Sequence, residues 1–164
     1  MNKILVPIQN FSHLSLSASY FSIKFAKRNP TKILFLIFSN ASGEETSMKE
    51  EDRTWRRQFE RLIQQARAEK INLELFFSNE EYLQAVSQFA REHNTTEIII
   101  ALPPAQDRAY NKIIQEVYAL RNQGENQIIV IKPKEEQVIG GSKEPLVKEP
   151  YSLDSRTYSL KKGS

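Results

Sequence analysis

The stretch Lys3-Ile4-Leu5-Val6-Pro7-Ile8 is a short, near-continuous apolar run. Such a run reads as a strand covered on both faces, and strands of that kind sit in the middle of a parallel sheet. Similar runs return at Lys32 to Phe38, Thr96 to Ala101 and Gln127 to Lys132. A chain built on them has to lay helices over both sides of its sheet.

The intervening segments supply those helices. After the polar turn Gln9-Asn10-Phe11-Ser12, the residues Leu14, Ala18, Phe21 and Phe25 recur at helical spacing, predicting a helix from about Ser12 to Arg28 with Ser15, Ser17, Ser19, Lys24 and Lys27 largely off the apolar stripe. Beyond a polar loop from Ser39 to Thr46, Ser47-Met48-Lys49-Glu50 has capping-box spacing and opens a helix striped by Trp55, Phe59, Leu62, Ile63 and Ala66. Its tryptophan reads as a core or rim residue, because its partners share its face. Ile71 to Phe77 alternates apolar with polar residues for most of its length, so this strand has one face partly wet and belongs near an edge. A second capping box, Ser78-Asn79-Glu80-Glu81, introduces a short helix through Leu83, Val86, Phe89 and Ala90 that ends near His93 and Asn94. After Leu102-Pro103-Pro104-Ala105-Gln106, Asp107 is placed to cap a helix lined by Tyr110, Ile113, Ile114, Val117 and Leu120 and ended by Gly124. Five strands alternating with four helices predict a doubly wound α/β domain over residues 1–133.

Residues 134–164 differ in composition. Gly140-Gly141, two Lys-Glu-Pro triplets and two Tyr-Ser-Leu triplets occur without a sustained period, which predicts a flexible C-terminal tail. Its repeated tyrosines and leucines, Tyr151, Leu153, Tyr158 and Leu160, are candidate anchors for a protein partner.

Composition narrows the chemistry. The chain of 164 residues has no cysteine and only two histidines, so disulfides and thiolate sites are excluded and no metal centre is expected. A net charge of +3 is spread among mixed-sign segments such as Lys49-Glu50-Glu51-Asp52-Arg53, which argues against a phosphate-backbone footprint, and no nucleic acid partner is expected. The apolar run at the amino terminus is too short for a signal peptide and is broken by Pro7, and no stretch approaches membrane-spanning length. A cytoplasmic location without membrane insertion is the expectation. His13 and His93 stand near helix ends, with no second ligand or nucleophile beside them in the sequence. The glycines of dinucleotide and Walker loops, the Gly-x-Ser-x-Gly elbow and the acids of a phosphoacceptor domain are all missing, so no enzyme is expected.

The opening Lys3-Ile4-Leu5-Val6-Pro7-Ile8, the serine-bearing turn, the segment Ala18 to Arg28 and the closing Ile128-Ile129-Val130-Ile131 resemble the universal stress proteins. The order of elements through Lys132 is similar too, and the resemblance stops before the tail. It implies a five-stranded parallel sheet in the order 3-2-1-4-5, with helices on both faces, and a homodimer formed by pairing the last strands, here Ile128, Ile129, Val130 and Ile131. In the family's nucleotide-binding branch an aspartate ends the first strand and the glycine pattern Gly-x2-Gly-x9-Gly-Ser/Thr follows the fourth. Here Gln9 holds the aspartate's place, and the glycine pattern falls on Leu102, Ala105, Gln115 and Glu116. Pro103 and Pro104 remove two amide donors from the turn, and Glu116 would repel a phosphate. The ATP cradle of the family is therefore expected to be lost, with no cofactor in its place. Gln9, Asn10, Ser12, Gln106 and Asp107, with Leu102 beside them, would still meet at the carboxyl ends of strands one and four, where open α/β sheets hold ligands.

Two functions follow. The first is a non-catalytic regulatory or scaffolding module of the stress-response type that dimerises through its last strand and engages a partner through its tail. The alternative is a sensor that binds a nucleotide or another small molecule at that mouth.

Overall fold

The computed structural model describes residues 1–38, 49–124 and 126–133, together with the backbone of Leu153–Leu160. Its strands are β1 (Asn2–Ile8), β2 (Thr31–Phe38), β3 (Leu73–Ser78), β4 (Glu97–Ala101), β5 (Gln127–Pro133) and β6 (Leu153–Leu160). Its helices are α1 (His13–Arg28), α2 (Glu50–Ala68), α3 (Tyr82–Glu92) and α4 (Tyr110–Gln123). The first five strands are parallel in the order β3-β2-β1-β4-β5, as the resemblance implies, and β6 adds to β5 in the antiparallel sense.

Strand parity explains why the central runs are apolar throughout. Ile4, Val6 and Ile8 of β1, with Ile33, Phe35 and Ile37 of β2, join a core packed under α1 and α2. Leu5, with Leu34, Leu36 and Phe38, joins a second core under α3 and α4. Successive side chains on a strand point to opposite faces, so a strand covered on both sides has no position left for a polar residue. Among the described residues, edge strand β3 pairs only with β2; Leu73 is buried and Glu74 exposed as the alternation predicts, but Phe77, on the same face as Leu73, is 64% exposed, so the pattern fails at the strand's carboxyl end.

Helix α1 departs from the stripe read in the sequence. Its buried residues are Leu16, Ser17, Ala18, Ser19, Ser22 and Ile23, while Phe21 and Phe25 are only half-buried. The hydroxyls of Ser17, Ser19 and Ser22 donate to the carbonyls of His13, Ser15 and Ala18 at 2.8, 2.7 and 2.7 Å. A hydroxyl satisfied by its own helix can be buried without an orphaned polar group, and its small size lets the helix sit close to the sheet.

The caps also move. Ser12 caps α1, and the Ser12 and Ser15 side chains each accept the other's backbone N–H, at 3.3 and 2.9 Å. Lys49 precedes α2 without a side-chain cap, although Glu50, Glu51 and Asp52 put negative charge on the helix's positive end; Ser47 of the expected box lies outside the described residues. At α3 the cap is Glu81 rather than Ser78: its carboxylate accepts from the N–H groups of Leu83 and Gln84 at 3.0 and 2.8 Å, while Ser78 accepts from Glu80. Helices α2 and α3 end alike, with Lys70 and Asn94 at φ of 63° and 53°. The next residues, Ile71 and Thr95, donate to Ala66 and Ala90, which closes a left-handed helix end.

Beyond residue 133 the structure corrects the expectation of a tail without regular structure. Leu153–Leu160 is a strand whose register on β5 sets Ile128 opposite Leu160, Ile129 opposite Ser159, Val130 opposite Tyr158 and Ile131 opposite Thr157. The bare edge on which the expected dimer through Ile128, Ile129, Val130 and Ile131 rests is thus hydrogen-bonded within the chain. An open strand edge carries unpaired N–H and C=O groups that pair wherever a partner strand is within reach, and here the chain supplies one. Of the proposed tail anchors, Leu153, Tyr158 and Leu160 fall in β6, and Tyr151 lies outside the described residues. Among the described residues no helix is long and apolar enough to cross a membrane.

Candidate functional site

At the carboxyl ends of β1 and β4, where the sheet's connections part to left and right, lies an open pocket of about 260 Å³. This is the crevice in which open α/β sheets take ligands. The β1–α1 turn contributes Gln9, Asn10 and Ser12 to it, α1 contributes Ser15 and Ala18, and β4 closes its floor with Ile99 and Ala101. From the other face Tyr82 begins α3, and Lys112 and Glu116 stand on successive turns of α4.

The polar centre of this pocket is a contact between Gln9 and Glu116. The Gln9 amide nitrogen donates to both carboxylate oxygens, at 3.0 and 3.1 Å. An ionised carboxylate can only accept, so the amide must present its nitrogen. Burial raises the Glu116 pKa above its ordinary value, and the Glu81 charge adds to that; the Gln9 donor and the Lys112 ammonium act in the opposite direction. The Tyr82 phenol is pushed up as well, first by burial and then by the Glu116 charge, with Gln9 opposing. The site therefore sets a single carboxylate, with the Lys112 ammonium acting on it, where a phosphate-binding loop would set amide donors.

Because the Glu116 pKa is raised in the folded protein, the native state holds its proton to higher pH than the unfolded chain does. Stability should therefore fall as pH rises from about the ordinary value of 4.5 through the raised one. Glu116→Gln removes the titration and keeps a partner for Gln9. The melting temperature of the variant relative to wild type is expected to climb between pH 4 and pH 7, and a gap that stays constant would mean the carboxyl is as well solvated as in the unfolded chain.

Gln9, Asn10 and Ser12 thus meet at the pocket, while the other expected ligand residues lie elsewhere. Leu102 is buried in the α3–α4 core with its N–H bonded to the Ile131 carbonyl at 2.8 Å, so neither its side chain nor its amide faces the pocket. Gln106 and Asp107 are exposed in the β4–α4 loop. Asp107 accepts from the Ala109 N–H at 2.8 Å, two residues short of the helix cap expected of it. It lines a separate cavity of about 360 Å³ whose other walls include Phe11, His13 and Trp55. His13 meets Trp55 edge-on at 6.0 Å, and His93, at the end of α3, stacks on Phe89 at 4.0 Å. Among the described residues no group of three His, Asp or Glu side chains could hold a metal ion. Tyr82 and Lys112 were not singled out in the sequence; only the packing of α3 and α4 over the strand ends brings them to Gln9.

No sequence-family model matches the chain, and no curated protein sequence matches it. Solved structures do. A universal stress protein from Archaeoglobus fulgidus superposes with a TM-score of 0.54 at 16% identity over 80% of this chain and 94% of its own. A universal stress protein in complex with cAMP gives 0.55 at 12% identity over 79% and 94%. A universal stress protein family member from Arabidopsis thaliana with AMP bound gives 0.56 at 12% identity over 86% and 97%. The chain has the universal stress protein fold.

Proposed function

We propose that this chain is a non-catalytic regulatory or scaffolding module of the universal stress type, whose crevice between β1 and β4 does not take ATP in the manner of a phosphate cradle. The observation that carries this reading is the Glu116 carboxylate held by Gln9 inside the pocket. A triphosphate entering there meets a fixed negative charge, and Pro103 and Pro104 withhold donors from the loop at the same end of the sheet. Calorimetric titration with magnesium ATP is expected to give no saturable heat, and a melting temperature unmoved by millimolar ATP should accompany it. A ligand at a hundred times its dissociation constant would instead add about 2.7 kcal/mol of stability. Saturable ATP binding would sink the reading.

A second reading is favoured by the pocket itself. It is open, polar at Gln9, Asn10 and Ser12 and apolar at its floor, and similar folds carry AMP or cAMP. A sensor of a small molecule would bind AMP, cAMP or a nucleoside saturably and lose that binding on Gln9→Ala. Enzymatic turnover belongs to neither reading.

A further inference from the structure

A second cavity, of about 360 Å³, opens where the starts of α1 and α2 meet the β4–α4 loop. Among the described residues it shares only Ser12 and Leu14 with the crevice at Gln9. Rings form most of its surface: Phe11, His13 and Trp55 come from the helix starts, and Pro103, Pro104 and Pro133 from the ends of β4 and β5. Between them stand three carboxylates, Glu51, Asp52 and Asp107, and among the described residues no lysine or arginine lines the cavity. Glu51 and Asp52 face the dipole of α2, but a helix end carries only about half a positive charge, so two carboxylates exceed what it neutralises. Asp107 adds a third from a different loop.

We propose that this cavity binds a small organic cation of the quaternary ammonium class, with Trp55 as its aromatic face and Glu51, Asp52 and Asp107 as its counter-charges. An aromatic ring attracts a cation held over its face, and carboxylates nearby add Coulomb attraction. The same aromatic group already holds one cation: the Arg56 guanidinium, tethered to Glu60 at 3.2 Å, stands 6.0 Å from the centre of the Phe11 ring. The form of the cation follows from the walls. A primary ammonium brings three donors, for which indole and pyrrolidine rings have no acceptor, whereas a quaternary head has no donor and lays its methyl groups against the rings. These walls are also set in place. The Asp107 N–H closes the Pro103-Pro104 turn on the Pro104 carbonyl at 2.9 Å, and His13 meets Trp55 edge-on, so a ligand finds the rings already ordered. The volume falls in the range of small-molecule sites, about 300–1,000 Å³.

Trp55 is the single tryptophan of the chain, so its fluorescence reports on this cavity directly. The full-length protein is titrated at constant ionic strength with choline and with its uncharged carbon isostere, in which a tert-butyl group replaces the trimethylammonium. Choline should change the Trp55 emission saturably and give a saturable heat by calorimetry, and the isostere should bind about tenfold more weakly. Glu51→Gln combined with Asp52→Asn should weaken choline by about tenfold and leave the isostere unmoved. Asp107→Asn, which lies outside α2 and keeps an acceptor for the Ala109 N–H, should shift choline in the same direction. Trp55→Leu should abolish the heat of choline binding. The absence of a saturable response to choline in both emission and heat overturns the proposal. An isostere that binds as tightly does so too, as does a choline affinity that the carboxamide variants leave unchanged.

Discussion

Phe35→Ala is expected to lower the stability of the protein by about 3–5 kcal/mol, the range for emptying a fully buried aromatic site. Among the described residues Phe35 is the largest completely buried side chain, at 0% exposure, on a strand flanked on both sides: its backbone register sets it beside Val6 of β1 and Leu75 of β3. Its ring meets Phe59 of α2 edge-on at 5.5 Å with an interplanar angle of 82°, and Phe59 in turn lies 5.3 Å from Phe11 in the β1–α1 turn. The substitution therefore leaves a cavity and also breaks an aromatic chain that ties α2 to the turn carrying Gln9. A chain of this size should lose on the order of 10 °C in melting temperature. Phe77→Ala is the matched control. Phe77 belongs to β3 but is 64% exposed, so its loss should cost well under about 1 kcal/mol. Urea denaturation of both variants checks the contrast, and comparable losses would mean that the buried core does not extend across β2 as described.

What was legible in the sequence follows from which residues leave a periodic trace. The runs at Ile4 to Ile8 and Ile33 to Phe38 name their own strands because both faces of the sheet are covered there, and neither parity admits a polar residue. The wet face of β3 shows in Glu74 for the opposite reason. β6 leaves no such trace: Leu153-Asp154-Ser155-Arg156-Thr157-Tyr158 owes its place to backbone pairing with β5, and pairing is indifferent to side-chain pattern. The candidate site divides along the same line. Gln9, Asn10 and Ser12 are legible because the residues after a buried strand must lie at its carboxyl end. Leu102 was misplaced because a position carried over from a glycine pattern does not say whether the side chain turns to the loop or to the core. Tyr82 and Lys112 come from two different helices, and nothing local marks them as neighbours of Gln9.

Helix α1 offers the sharpest test of how its close seat supports the pocket. Ser22 is fully buried, and its hydroxyl is bonded at 2.7 Å to the Ala18 carbonyl, so what the helix needs at this position is smallness rather than polarity. Ser22→Leu puts extra carbon atoms into a space already filled and should cost about 1–3 kcal/mol through overpacking. Ser22→Ala should change stability by less than about 1 kcal/mol, because the Ala18 carbonyl keeps its helical partner and alanine favours the helix. Both variants lose the hydroxyl and only Ser22→Leu adds volume, so the gap between them reads packing and the gap between Ser22→Ala and wild type reads the hydrogen bond. If Ser22→Leu also displaces α1, the pocket changes with it, since Ser15 and Ala18 of the same helix form part of its wall. Urea midpoints give the energies. A Ser22→Ala variant that loses as much stability as Ser22→Leu would show that the hydroxyl, and not the close approach of helix to sheet, holds α1 where it is.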